Sequence, residues 1–333
     1  MKHQNVWTIA EAHDGKLRTV SYELLARGRQ LADDLGQELV SVLISGHVDK
    51  DELQKLIERG ADRVLVVFDE WLDSFIAETY SNILCDLILE RKPEIVLAAA
   101  TFNGRTLLPH AAMRLHVGLT ADCTGLAIDP ITKDLLQTRP AIGGNILATI
   151  KSPDHRPQMA TVRPKSTKPL DKDKDRKGEI ELVPFKTAWV DPRVKRLATR
   201  EEAGEDINIQ EADVVVAGGR GMKKGENFNM LQTLARNLGG VVGATRDAVD
   251  RGWAKYPQQV GLSGKTVTPK LFVSVGASGS IQHLAGMKTS ENIIAINTNE
   301  DANIFQVADF GIVADLFEVL PLLNKKLEEE GSK

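Results

Sequence analysis

Short apolar runs alternate along this chain with amphipathic segments of helical period. Val6–Ala10, Glu38–Ile44, Arg63–Val67 and Ile95–Ala100 read as strands. Between them, Val20–Leu35, Asp49–Arg59 and Asp73–Arg91 read as helices, the second ended by Gly60 and the third by Lys92-Pro93. Such alternation predicts α/β layers around a largely parallel sheet. After Gly118 the pieces become shorter and β-rich: Thr124–Ile128, Leu135–Arg139, Asn145–Ile150, Met159–Val162 and Ile180–Thr187. Their spacing suggests a meander that completes a first domain. Between the last two, KSTKPLDKDKDRKG mixes charges without an apolar face and reads as a solvated hairpin or mobile loop.

The stretch Lys195–Asp206, with REEAGED in it, is charged and poor in apolar residues, and it places the domain boundary, giving domains 1–206 and 207–333. The second domain alternates again. Asp213–Ala217, Leu271–Val275 and Ile293–Ile296 read as parallel strands, and Ile304–Val307 with Asp309–Val313 as a further one. Phe228–Leu238 and Val319–Glu330 read as helices.

Composition narrows the class. A chain of 333 residues, 42% of them hydrophobic, can bury an ordinary core in each of two domains. A net charge of −4 and a pI near 6.0 give no global reason to bind nucleic acid or an anionic membrane. Cys85 and Cys123 are too few for a disulfide framework or a zinc site and point to a reducing compartment. No apolar run is long enough for a membrane span. The first residues look like neither a secretory signal nor a transit peptide, so the expected location is the cytoplasm.

The candidate chemistry gathers in the second domain. The apolar run Leu271–Val275 breaks into VGASGSIQHLAGM (275–287), where Gly276 and Gly279 allow close approach of backbone to a ligand. A strand, a glycine turn and a helix start also present free N–H groups suited to a pyrophosphate. ADVVVAGGRGMKKGENF (212–228), VGATRDAVDRG (242–252) and QVGLSGKTVTPK (259–270) repeat the theme of small residue, hydroxyl and cation. No GxGxxG opens a helix with an acidic residue at ribose distance, which argues against NAD. In the first domain, Asn103, Arg105 and His110 follow the fourth strand. They read either as a helix cap with a solvated cation and a core-edge histidine, or as a site or subunit contact.

On AGGRG, GATR, VGLSGK, GASGSIQHLAGM and AINTNEDANIFQVADFGIVADLFEVLP, with the spacing between them, residues 212–322 resemble the alpha subunit of the electron transfer flavoprotein, the FixB family. The first half is similar more loosely, through TFNGRTLLPHAAMRL, GLTADCTGL and RPQMATVRP. The resemblance implies an N-terminal nucleotide-hydrolase-like domain with a parallel sheet, packed on a beta subunit, and a C-terminal doubly wound domain binding FAD. Carried over by position, it implies Arg220, Thr245 and Arg246 beside the isoalloxazine, and Val260, Gly261, Leu262 and Ser263 along its edge, with Ser263 near N5. It implies Ser278, Gly279, Ser280, Ile281 and Gln282 around the ribityl and pyrophosphate, His283 at the pyrimidine end, and Asn297, Asp315 and Leu316 at the adenosine.

Those residue types suit that cofactor. Reduction places negative charge at N1 and the C2 carbonyl, which a guanidinium such as Arg246 and a donor from His283 would favour. A hydroxyl at Ser263 can donate to N5. Asp315 can accept from a ribose hydroxyl or the adenine amine. The chain departs from the commoner respiratory pattern in that Leu262 stands for a glutamine and Ser263 for a threonine, which removes one polar contact at the ring.

No nucleophile–base pair or metal cluster stands out, so the expectation is an electron carrier that catalyses only within a complex. The implied partners are the beta subunit and an acyl-CoA dehydrogenase-type flavoenzyme, with the flavin-bearing domain hinged on residues 195–210. GLTADCTGLAIDP, QTRPAIGGNILATI and HRPQMATVRP resemble the branch that splits the electron pair of NADH between a high-potential acceptor and ferredoxin or flavodoxin, or its anaerobic and nitrogen-fixing relatives. A non-redox nucleotide-binding regulatory module and a self-sufficient flavin oxidoreductase stand as the competing readings.

Overall fold

The computed structural model describes residues 3–141, 146–198 and 209–331. The chain divides into two compact units, Met1–Leu197 and Ala198–Lys333. The boundary expected at residue 206, and most of the hinge expected at 195–210, lie outside the described residues.

In the first unit, β1 (Val6–Ala10) is followed by a small hairpin of β2 (Ala12–His13) and β3 (Lys16–Leu17), then α1 (Thr19–Leu35), β4 (Leu39–Ser45), α2 (Lys50–Glu58) and β5 (Arg63–Phe68). Next come α3 (Ala77–Arg91), β6 (Ile95–Ala99), α4 (Phe102–Leu115), β7 (Leu119–Cys123), β8 (Gly125–Ile128), β9 (Leu135–Pro140), β10 (Leu147–Ile150), β11 (Gln158–Val162) and β12 (Glu179–Leu182). A seven-stranded sheet, wholly parallel, runs β12-β5-β4-β1-β6-β11-β7. One face packs α1 and α2 through Leu24, Leu25, Leu31, Leu53 and Leu56, and the other packs α3 and α4 through Leu84, Leu87, Leu108 and Ala111. Strands buried on both faces carry near-continuous apolar runs, which is why VWTIA holds a single polar residue, the buried Thr8, and IVLAA none.

The expected meander is only partly present. β8, β9 and β10 form an antiparallel sheet, but β11 enters the large sheet between β6 and β7, and β12 closes its far edge. The physical reason is burial: every residue of QMATV in β11 is buried, which a half-solvated meander does not provide.

The charged segment between β11 and β12 is therefore no hairpin; it crosses from one side of the sheet to the other. It is also fastened rather than loose. Arg59 donates to the Leu170 carbonyl, the Asp173 N–H to the Glu58 carbonyl at 2.8 Å, and Arg176 to Asp62 at 2.7 Å. Asp62 also accepts from Arg29 at 2.6 Å and from the Leu39 N–H at 2.8 Å.

The second unit runs β13 (Val214–Gly218), α5 (Phe228–Asn237), β14 (Val241–Ala244), α6 (Arg246–Asp250), β15 (Leu271–Val275), α7 (Ile281–Leu284), β16 (Ile293–Asn297), β17 (Phe310–Val313) and α8 (Leu316–Gly331). Its parallel sheet has the order β14-β13-β15-β16-β17. α5 and α8 cover one face through Leu231, Leu234 and Leu320, while Phe272, Met287 and Ile304 fill the other. Of the strand expected at Ile304–Val307 with Asp309–Val313, residues 304–306 belong instead to a turn of 3₁₀ helix at Asn303–Gln306, and only Phe310–Val313 pairs with β16.

Candidate functional site

The order β14-β13-β15-β16-β17 reverses direction between β13 and β15, and a crevice opens at the carboxyl ends of strands where such a reversal falls. Here that crevice is a cleft of about 580 Å³. The two strand ends are stitched together by the Gly219 N–H on the Val275 carbonyl (2.9 Å) and the Gly221 N–H on the Gly276 carbonyl (2.8 Å). A Cβ on Gly221 would sit 2.7 Å from the Gly276 Cα, so the glycines of GGRG serve first to let two loops close on each other.

Three loops and a turn make the walls. Thr245 begins α6, with its N–H on the Gly218 carbonyl at 3.0 Å, and its Oγ1 is buried with no partner. Arg246 follows, exposed and 3.3 Å from Asp250, its neighbour one helical turn on. The segment 259–265 folds back on itself, the Lys265 N–H donating to the Gln259 carbonyl at 2.7 Å. The loop after β15 turns at Gly279, whose φ of +78° and contact with the backbone of Ile304 admit no side chain. Asn297, at the end of β16, ties this loop down by donating to the Ala277 carbonyl at 2.9 Å.

His283 is the most buried titratable group on the wall, at 4% exposure. Its Nδ1 lies 3.1 Å from the Val260 carbonyl, and its Nε2 is buried without a partner. Burial pushes its pKa below the ordinary histidine value, outweighing the opposing effect of the Val260 contact.

Of the residues singled out from the sequence, Arg220, Thr245, Arg246, Val260, Gly261, Leu262, Ser263, Ser278, Gly279, Ser280, Gln282, His283 and Asn297 line this cleft. Ile281, Asp315 and Leu316 do not. The Ile281 side chain is 70% exposed, so only its backbone is available to the site. Asp315 accepts from the Phe317 N–H at 2.9 Å and so caps α8, and Leu316 is buried in the core behind Gly276. The walls also include Asp247, Gln259, Ala277, Asn299 and Ala302, which sequence reasoning passed over. Their signal was adjacency, Asp247 to Arg246, Gln259 to Val260, and Asn299 to the asparagine two before it.

The corresponding crevice in the first unit, between β1 and β6, is filled by the protein itself. Glu11, just past β1, accepts from Arg18 at 2.9 Å and from the Thr101 hydroxyl. Thr101 in turn caps α4 through the Gly104 N–H at 3.1 Å. Asn103 lies inside the first turn of α4, Arg105 is 3.8 Å from Asp122, and His110 is exposed rather than at the core edge. The cavity beside Ala99 and Val162 measures about 10 Å³, too small to hold a nucleotide. Among the described residues no cluster of His, Cys, Asp and Glu could hold a metal ion, and no helix is long and apolar enough to cross a membrane.

A doubly wound sheet whose switch point opens into a deep cleft lined by backbone, hydroxyls and cations defines a protein that binds a nucleotide cofactor. The profile of the "Electron transfer flavoprotein domain" matches residues 6–188, and that of the "Electron transfer flavoprotein FAD-binding domain" matches residues 208–288. Similar full-length proteins include the electron transfer flavoprotein subunit alpha of Thermoanaerobacterium thermosaccharolyticum, 48% identical over 98% of each chain. Protein FixB of Clostridium saccharobutylicum is 46% identical over 98% of this chain and 97% of its own. The acryloyl-CoA reductase electron transfer subunit beta of Anaerotignum propionicum is 38% identical over 98% of this chain and 96% of its own. The chain belongs to the electron transfer flavoprotein alpha-subunit (FixB) family, and its cofactor is FAD.

The cleft fits that group. Two buried polar atoms of residues on its wall, the Thr245 Oγ1 and the His283 Nε2, have no partner among the described residues, and such atoms call for a polar ligand. The volume lies within the range of small-molecule sites, and the Gly279 turn brings backbone to its surface.

Proposed function

We propose that this chain is the FAD-bearing subunit of a cytoplasmic heterodimeric carrier, completed by a beta subunit, that moves electrons to or from an acyl-CoA dehydrogenase-type flavoenzyme. The observation that carries the reading is the pair of unpartnered atoms, Thr245 Oγ1 and His283 Nε2, on the wall of a cleft at the switch point. The name of the Anaerotignum propionicum relative, an electron transfer subunit of an acyl-CoA reductase, supports a partner of that class.

Bound FAD supplies a ring that accepts and returns electrons singly or in pairs. The residues that would hold its ring are Arg220, Thr245, Arg246, Val260–Ser263 and His283; those for the phosphates are Ser278–Gln282, through hydroxyls and backbone; and those for the adenosine are Asn297 and Asn299. Arg220 and Arg246 place positive charge at the cleft, which favours electron uptake there; the Asp250 beside Arg246 tempers that effect. Thr245 and Ser263 offer hydroxyl protons, and the apolar faces of Val260 and Ala277 exclude water.

A second reading, that the carrier splits the electron pair of NADH and passes one electron to ferredoxin or flavodoxin, is favoured by the likeness of GLTADCTGLAIDP and HRPQMATVRP to that branch. One experiment separates the two. The chain is co-expressed with its beta subunit, its FAD counted per heterodimer, and the complex titrated with NADH. One FAD, reduced only through a dehydrogenase, is the expected result for the simple carrier. Two FAD with direct reduction by NADH supports the second reading, and a colourless complex overturns both.

A further inference from the structure

We propose that Gln259 is the positioning residue that makes Ser263 a hydrogen-bond donor towards the cofactor. This rests on the reading of the cleft as an FAD site with Ser263 beside N5 of the ring.

Gln259 is 3% exposed and its backbone is fixed at both ends, its N–H on the Tyr256 carbonyl (2.9 Å) and its carbonyl on the Lys265 N–H (2.7 Å). The latter contact closes a tight loop, with the Gly264 N–H on the Gly261 carbonyl at 3.0 Å and the Gly261 N–H on the Lys265 carbonyl at 3.1 Å. Closure brings Ser263 back against the turn at 256–259. There the Tyr256 hydroxyl donates to the Ser263 carbonyl at 3.2 Å, and the Gln259 Nε2 donates to the Ser263 Oγ at 3.1 Å. Both ends of the serine are thus held by one turn, and Ser263 lines the cleft.

A hydroxyl has one proton and two lone pairs. With the Gln259 N–H filling a lone pair, the atom facing Ser263 from the protein is a donor and has no use for the serine proton. That proton is left for an acceptor in the cleft, and N5 of oxidised flavin accepts only. Were the amide turned about, Oε1 would take the serine proton and Ser263 would meet N5 with a lone pair. The donor face of Gln259 therefore sets the direction of the Ser263 hydrogen bond, although Gln259 itself does not touch N5.

The test uses the full-length chain, in the complex in which it is isolated, loaded with FAD isotopically labelled at N5 and read by nitrogen NMR. In the unaltered protein the N5 resonance should lie upfield of its position in Ser263→Ala, and that displacement reports the serine hydrogen bond. Gln259→Glu, whose carboxylate claims the serine proton, should abolish it. Gln259→Met, which removes the donor without adding charge and decides the matter if the Glu variant fails to fold, should leave a smaller displacement. An unchanged N5 signal in the Gln259 variants, with the signal lost in Ser263→Ala, overturns the role of Gln259 and leaves the FAD reading standing. No FAD in the unaltered protein, or an N5 signal indifferent to Ser263→Ala, removes the reading on which the proposal rests and the proposal with it.

Discussion

The Nδ1 of His283 stands 3.1 Å from the Val260 carbonyl oxygen, and this contact fixes which ring nitrogen carries the proton. A carbonyl only accepts, so Nδ1 donates and Nε2 keeps its lone pair for the cleft. The sequence reading made His283 a donor to the ring; the structure gives it that role only when doubly protonated. Burial opposes that state, holding the pKa below its ordinary 6.5. Because the folded pKa is the lower one, the unfolded chain binds the proton first. Stability is then fully present above the ordinary value and is lost as pH falls through it towards the folded value. Urea unfolding without FAD, compared at about pH 7.5 and about pH 5.5, should show a larger acid loss in the unaltered chain than in His283→Gln. Equal losses would dismiss the assignment.

Thr245 offers a complementary test, because its hydroxyl is buried without a partner. Thr245→Val keeps the shape and removes the unsatisfied oxygen. In the absence of FAD it should be neutral or stabilising by up to about 1 kcal/mol. With FAD it should weaken binding by roughly tenfold, the worth of one ordinary hydrogen bond. Denaturant midpoints and FAD titration read the two effects separately, and a variant destabilised without cofactor would contradict the account.

Gly279 carries the turn on which the cleft depends. At φ +78°, with the Ile304 backbone pressed against its Cα, Gly279→Ala meets both torsional strain and a steric clash. The expected cost is about 1–3 kcal/mol from the torsion alone, with FAD retention lost before the far-ultraviolet circular dichroism changes. A variant that keeps its FAD and its thermal midpoint would refute this.

In the first unit, Arg176 binds the crossing segment to Asp62. Arg176→Ala should leave global stability within about 1 kcal/mol, since the pair is partly solvated. It should also speed tryptic cleavage at the lysines between 165 and 177. Asp62→Ala removes the acceptor for Arg29 and for the Leu39 N–H as well, and should cost about 1–3 kcal/mol. Limited proteolysis and urea titration distinguish the two variants.

Much of this architecture was legible because buried parallel strands and amphipathic helices write different periods into a chain. VWTIA, IVLAA and LFVSV each appear as strands within a residue or so of the observed bounds. What escaped was non-local. Nothing in EIEL, a mostly exposed segment of four residues, says that β12 pairs with β5 more than a hundred positions earlier. In the site, hydroxyls and cations beside glycines stood out, while Gln259 did not, because a glutamine next to an apolar pair looks like any solvated amide until its burial is known. Asp315 shows the converse: an aspartate before a helix reads equally well as a ligand or a cap, and here its carboxylate is engaged in capping.

The placement of β12 has a consequence for how the chain is made. In the first sheet β1, β4 and β5 pair with one another in chain order, but the edge beyond β5 waits for residues 179–182, and the Trp189 indole then pins the exit by donating to Asp86 at 2.6 Å. At a ribosomal rate of about 5–20 residues per second, the edge of β5 stays open for several seconds after β5 itself has emerged. The strand that seals it is made before any strand of the FAD-binding sheet. Vectorial synthesis thus presents every strand of the first sheet before the first strand of the second.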